Sequence, residues 1–221
     1  MIGGIVKGYL ERTVAPFYRF LANCGISPNL LTFTGLGISL VASGLLWAGK
    51  FRVAGLVMLV GGFFDMMDGG VARARGGGNS FGAFLDSIVD RYSDLFLLTG
   101  LILFFAGQGK LGLVALGCIA MVGTALVPYA RARAECFIPS CTVGWMERPE
   151  RILLMAAGAL FEMVELALAV LAILAHFTVL QRIHFCWQRL PGGKSPEEGK
   201  GEPSEESPKD LEVEAHRERL N

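Results

Sequence analysis

Two stretches, Leu30–Ala48 and Leu111–Tyr129, carry no charged residue over nineteen positions each. That is the length an α-helix needs to cross the ~30 Å hydrocarbon core of a bilayer. Backbone in lipid must satisfy its own hydrogen bonds, so such stretches are helices. Three further apolar stretches follow the same logic. Val53–Phe64 runs into Asp65. Leu95–Ala106 is preceded by Asp86, Asp90, Arg91 and Asp94. Ile152–Leu180 is broken by Glu162, Glu165 and His176; it is too long for one span and reads as two, hinged near Glu162–Glu165. The expectation is an all-α integral membrane protein with six transmembrane helices.

Composition supports this once the chain is divided. Of its 221 residues 52% are hydrophobic, although the end of the chain is almost wholly polar. Nine of the twenty acidic and five of the twenty Lys and Arg residues lie from Gly192 onward, so the zero net charge sums two unlike segments. An ordinary soluble globule is excluded. So is a disulfide scaffold, because the five cysteines are odd in number and scattered. Cys136 and Cys141 flank a short loop without further Cys or His to complete a metal site. Nothing points to a nucleic-acid partner.

Three segments result. Residues 1–25 place Leu10, Val14, Phe17 and Leu21 at helical spacing beside Lys7, Arg12 and Arg19, which predicts an N-terminal amphipathic helix lying in the membrane surface, interrupted at Pro16. Glu11, Pro16 and the lack of an uninterrupted apolar core argue against a cleavable signal peptide. Residues 26–190 form the six-helix membrane domain. Residues 191–221, rich in Pro, Gly, Ser, Glu and Lys, read as a disordered cytoplasmic tail.

Charge asymmetry orients the spans. One side collects Lys7, Arg12, Arg19, Arg73, Arg75, Arg131, Arg133, Arg148, Arg151, Arg182, Arg189 and Lys194, and the other holds Lys50, Arg52 and Lys110. The positive-inside rule then puts both termini in the cytoplasm, and the short chain favours a prokaryotic inner membrane. Trp47, Trp145 and Trp187 fall near the expected membrane borders, as in an aromatic belt. His176 and His184 read as packed or interfacial side chains.

Charges at membrane depth cost several kcal/mol each, about 2.5–3.5 on insertion scales. Yet Asp65, Asp68, Asp86, Asp90 and Asp94 lie within thirty residues. Asp65 and Asp68 are spaced i, i+3; Asp86, Asp90 and Asp94 are spaced i, i+4, i+8, so each set lies on one helix face. Gly76, Gly77, Gly78, Asn79 and Ser80 join the two helices and suggest antiparallel neighbours. Gathered carboxylates need protons or a cation. An all-oxygen set without nearby His or Cys suits a hard divalent ion. Two other readings stay open: ion pairing with Arg73, Arg75 and Arg91, and a cation carrier or channel. Asp68-Gly69 followed by Ala72-Arg73 tilts the balance toward phosphate chemistry, because glycine admits close approach and Arg73 can fork onto phosphate oxygens.

With these residues in place the chain resembles the CDP-alcohol phosphotransferase family. Its signature, D-x2-D-G-x2-A-R-x8-G-x3-D-x3-D, reads here as Asp65, Asp68, Gly69, Ala72, Arg73, Gly82, Asp86 and Asp90, with every spacing met. The resemblance implies a six-helix fold, commonly a homodimer, and transfer of a phosphatidyl-type group from a CDP-linked lipid to an alcohol with release of CMP. It implies that Asp65, Asp68, Asp86 and Asp90 hold two divalent metal ions, Mg²⁺ or Mn²⁺, and that Asp90 is also the general base. It implies that Gly69, Arg73 and Asn79 contact the CDP moiety with Ser80 beside them, although Asn79 stands where relatives carry Thr. The stretch Ser27-Pro28-Asn29-Leu30-Leu31-Thr32 resembles the family's other nucleotide-contacting segment.

The acceptor is read from elsewhere. Leu85–Asp94, Pro128–Glu135, Glu147–Arg151 and Leu180-Gln181-Arg182 resemble the phosphatidylinositol phosphate synthase branch, and the L-D-P-x-A-D-K pattern of phosphatidylglycerophosphate synthases is not met. By that resemblance Arg131, Arg133 and Arg182 bind the phosphate of an inositol phosphate. Read from physics alone, they are equally membrane anchors, and a phosphate pocket also fits glycerol 3-phosphate.

Overall fold

The computed structural model describes residues 27–74 and 80–190, with the side chains of Pro28, Met66 and residues 68–74 outside the description. The amphipathic helix expected in residues 1–25, the tail and Asn79 lie outside the described residues.

Six helices form among the described residues: α1 (Pro28–Trp47), α2 (Phe51–Ala74), α3 (Ser80–Gly107), α4 (Leu111–Ala134), α5 (Arg148–Leu160) and α6 (Val164–Arg189). Local chemistry sets their ends. Ser27 caps α1, its Oγ accepting the Leu30 N–H at 3.3 Å, and Pro28 occupies the first turn, where its missing N–H costs nothing. Pro149 does the same for α5. The expected break in the last apolar stretch falls at 161–163, where Glu162 adopts φ 57. Hydroxyls inside the apolar helices find carbonyls: Thr34, Thr99 and Thr178 donate one turn back at 2.7–2.8 Å, and Ser43 donates across to the Phe96 carbonyl at 2.6 Å.

The core is built from Leu46, Leu98, Leu101, Phe105, Leu168 and Leu171, all nearly or fully buried. The outer surface is also apolar. Leu40, Val41, Leu56, Ile119, Val122 and Ile173 are all at least 46% exposed, as a face against lipid requires and a soluble protein avoids. Among the described residues three helices are long and apolar enough to cross a membrane: Asn29–Trp47, Leu111–Ala134 and Val164–Arg189, with mean hydropathy 1.7, 2.1 and 2.0. The remaining three fall short of the six expected spans for visible reasons. The acidic residues of α2 and α3 interrupt their apolar runs, and the 13 residues of α5 reach only about 20 Å at 1.5 Å per residue.

Packing corrects one expectation. α2 and α3 are not each other's main neighbours; α1 packs against both, α5 packs on α2 and α6, and α4 packs on α3 and α6. The α1–α3 contact is close enough that a Cβ at Gly100 would collide with the Ser43 carbonyl oxygen. α1 therefore packs on both carboxylate-bearing helices, and a side chain from elsewhere bridges their aspartates.

Candidate functional site

The hollow between these aspartates is entered by Arg148, the first residue of α5. Its Nη2 lies 2.8 Å from Asp65 Oδ2 on α2, and its Nη1 lies 2.7 Å from Asp90 Oδ1 on α3. Its Nε is 3.8 Å from Asp94 Oδ1 and has no hydrogen-bond partner. All four side chains are less than a fifth exposed. One turn along α5, Arg151 donates to Asp94 Oδ2 at 2.5 Å and to the Met146 carbonyl at 3.1 Å. Asp65, Asp86, Asp90 and Asp94 lie within one another's electrostatic reach. On the far side of Asp65, α1 passes so close that a Cβ at Gly35 would stand 2.6 Å from Oδ1.

Beyond Asp90 and Arg148 opens a cavity of about 450 Å³ between α3, α4, α5 and α6. Five guanidiniums line it, from Arg91, Arg131, Arg148, Arg151 and Arg182, against four carboxylates, from Asp90, Asp94, Glu135 and Glu147. Arg131 Nε donates to Glu135 Oε1 at 3.0 Å, and its Nη1 is 3.7 Å from Glu147 Oε1. That bond, together with the Cys141 N–H, holds the Glu135 carboxyl below the usual carboxylate range. Arg182 is 2% exposed; its Nε donates to the Val143 carbonyl at 2.9 Å, its Nη1 to the Val127 carbonyl, and its Nη2 is 3.8 Å from Glu147 Oε1. Glu147 thus lies between Arg131 and Arg182, in a place an anionic group of a ligand would suit.

The residues expected from sequence fall into three groups. Asp65 and Asp90 meet through Arg148, and Asp86 stands beside them. Asp68, Gly69 and Arg73 are on the last turns of α2, their side chains outside the described residues. At the start of α1, Asn29 is half-buried and Leu30 exposed, Leu31 and Thr32 are buried, and Ser80, at the start of α3, is exposed. Arg131 and Arg182 reach the cavity. Arg133 does not line it: this exposed side chain lies over the Phe137 ring at 4.8 Å. Two residues apart on a helix means about 200° of rotation, so Arg131 and Arg133 cannot share a face.

Two site residues are new to the structure. Arg148 and Arg151, visible in sequence as part of a branch-like stretch, are partners of Asp65, Asp90 and Asp94; of the arginines considered above, Arg91 stands 4.0 Å from Asp90 and gives its shorter bond to the Ser87 carbonyl, and the side chains of Arg73 and Arg75 lie outside the described residues. The expected packed histidine is found: His176 Nδ1 lies 2.9 Å from the Ala172 carbonyl. Glu162 and Glu165 pair with Arg52 at 3.2 Å and Lys110 at 2.8 Å, at the other end of the bundle.

The donor set suits hard divalent ions. Among the described residues no three His, Cys, Asp or Glu side chains close into a ligand cage, and the Asp68 side chain is not among those described. The hollow nevertheless stabilises positive charge, as the guanidinium shared between Asp65 and Asp90 demonstrates. Oxygen-only carboxylates there fit Mg²⁺ or Mn²⁺.

The chain is similar to known proteins over most of its length. The family model for CDP-alcohol phosphatidyltransferases matches residues 25–181. The archaetidylinositol phosphate synthase of Pyrococcus horikoshii is 37% identical over 189 residues, covering 85% of this chain and 96% of that protein. The phosphatidylinositol phosphate synthase of Mycobacteroides abscessus is 35% identical over 193 residues, 83% and 88% of the two chains. The crystal structure of the Mycobacterium tuberculosis phosphatidylinositol phosphate synthase with CDP-DAG bound superposes with a TM-score of 0.75 at 32% identity, over 83% of this chain and 98% of that one. The same enzyme in complex with manganese and citrate gives a TM-score of 0.74 at 31% identity, over 83% and 97%. With the signature aspartates on α2 and α3 and this match across the helical bundle, the chain belongs to the CDP-alcohol phosphatidyltransferase family.

Proposed function

We propose that the protein transfers a phosphatidyl group from CDP-diacylglycerol to a hydroxyl of an inositol phosphate, releasing CMP. The observation that carries this reading is the double placement of Asp90. It belongs to the carboxylate hollow through Arg148 and also lines the guanidinium-rich cavity. A carboxylate able to take a proton and an arginine-lined space thus adjoin.

Asp65, Asp68, Asp86 and Asp90 would hold two divalent ions, Mg²⁺ or Mn²⁺, which when bound neutralise the pyrophosphate and polarise the P–O bond that breaks. Pro28, Asn29, Leu30, Leu31 and Thr32 at the start of α1, with Gly69, Arg73, Asn79 and Ser80, bind the nucleotide end. Arg131 and Arg182 take the acceptor's phosphate in the cavity. Asp90 accepts the proton of the acceptor hydroxyl. The hydroxyl oxygen attacks the lipid-side phosphorus in line, the bond to the nucleotide phosphate breaks, and CMP departs with its charge met by Arg73. No covalent enzyme intermediate is needed.

The same reading takes α1–α6 as six spans, with α2, α3 and α5 crossing in the company of their neighbours. The ends bearing Asp65, Asp90, Arg131, Arg148 and Arg182 face the cytoplasm of a prokaryotic cell, and the lipid enters sideways from the inner membrane's cytoplasmic leaflet. The working unit is a homodimer, as the family resemblance implies. Family membership displaces the cation carrier.

Purified protein with Mg²⁺ or Mn²⁺ is offered CDP-diacylglycerol or its ether-linked archaeal counterpart. Each donor is combined with inositol 1-phosphate, inositol, glycerol 3-phosphate or serine. CMP release with inositol 1-phosphate is expected. Release with glycerol 3-phosphate alone identifies a phosphatidylglycerophosphate synthase instead, and release with none overturns the reading.

A further inference from the structure

Arg148 stands at the head of α5 with its side chain 18% exposed. It opens a helix whose next residue is proline, whose second turn begins at the buried Arg151, and whose body packs on α2 and α6. From there its guanidinium engages two carboxylates on two helices that do not rely on each other for packing. It takes one oxygen from each, Asp65 Oδ2 and Asp90 Oδ1, while Asp65 Oδ1 faces Gly35 and Asp90 Oδ2 stands 4.0 Å from Arg91 Nη1. Asp94, one turn beyond Asp90, is drawn to Arg151 at 2.5 Å and so kept from competing for the fork. The same Arg148 lines the cavity next door. A planar guanidinium can brace two carboxylates at once, whereas an ammonium, a point charge, cannot hold both in fixed orientation.

We infer that Arg148 is a positioning residue: it sets the spacing and orientation of Asp65 and Asp90 for divalent-ion binding and fixes Asp90 toward the acceptor cavity. This deepens, and rests on, the metal-dependent transferase reading above. Outer partners of ligating carboxylates act in this way at many metal sites, and their loss weakens metal affinity about 10- to 100-fold. The opposite role is also physically defined: a guanidinium on these oxygens could compete with the ion, and its removal would then tighten metal binding.

The test measures Mn²⁺ affinity by electron paramagnetic resonance on full-length protein in nanodiscs without substrate, for wild type, Arg148→Met, Arg148→Lys and, as a control at the other end of the bundle, Arg52→Gln. The expected order is wild type equal to Arg52→Gln, Arg148→Lys weaker, and Arg148→Met weaker by about 10- to 100-fold. In CMP release, Arg148→Met should lose kcat at low Mn²⁺ and recover part of it as Mn²⁺ rises, a response that a merely structural defect would not give. Unchanged or tighter binding in Arg148→Met overturns the proposal, as does failure of wild type to bind Mn²⁺. If Arg148→Met does not fold, Arg148→Lys decides: affinity equal to or above wild type overturns it. If affinity falls in the expected order while wild type releases no CMP with any donor and acceptor, the transferase reading fails and the positioning role stands.

Discussion

Asp94 Oδ2 and Arg151 Nη2 meet at 2.5 Å with both side chains under a tenth exposed, and this pair anchors the first turn of α5 against α3. Removing one partner of a buried pair leaves a charge without compensation, at about 3–5 kcal/mol. Arg151→Met or Asp94→Asn should therefore lower the thermal midpoint in detergent sharply. The double variant Asp94→Leu/Arg151→Met should recover part of the loss, because it buries no lone charge.

Asp90→Asn keeps the size of the side chain and its contact with Arg148 but removes the proton acceptor. CMP release should fall by about 10²- to 10⁴-fold, the usual contribution of a positioned base. Helix content by circular dichroism should match wild type. Substantial turnover at saturating Mn²⁺ would assign the base elsewhere.

Arg131 and Arg133 should separate cleanly in kinetics. Losing a charge-assisted bond worth about 1.5–3 kcal/mol raises the acceptor KM in Arg131→Gln by about tenfold or more, with the KM for the CDP-lipid unchanged. Arg133→Gln, whose side chain lies over Phe137, should leave both constants within about twofold of wild type. Equal effects would mean that the two guanidiniums serve the same ligand.

Gly100 tests the α1–α3 contact. A side chain there meets the Ser43 backbone, which cannot turn aside as a side chain can. Gly100→Val should cost about 1–3 kcal/mol, typical of overpacking, and be read as a lower thermal midpoint. Gly37→Val, on the same helix pair but with open space beside it, should leave the midpoint nearly unchanged.

What the sequence disclosed was what repeats locally. The aspartates announce themselves by i, i+3 and i, i+4 spacing within lipid-length helices, and the break at Glu162 follows from two acids in an apolar stretch. Long-range partners leave no such trace. Arg148 meets Asp90 and Asp65 across 58 and 83 positions, and nothing near residue 148 hints at either. The α2–α3 relation shows the same limit: a short glycine link fixes chain connectivity, but the packing of α1 on both helices is decided by shape, such as the fit of Gly100 against Ser43. The family resemblance sets Arg133 beside Arg131, but the helical rotation turns its side chain away from the cavity and over Phe137.

The shortness of α5 has a mechanical side. A rod of about 20 Å bends little, and this one carries Arg148 at its first position while Glu162, two residues past its last, is tied to Arg52. The short helix thus reaches from the Arg52 contact at one end of the bundle to the fork gripping Asp65 and Asp90 at the other.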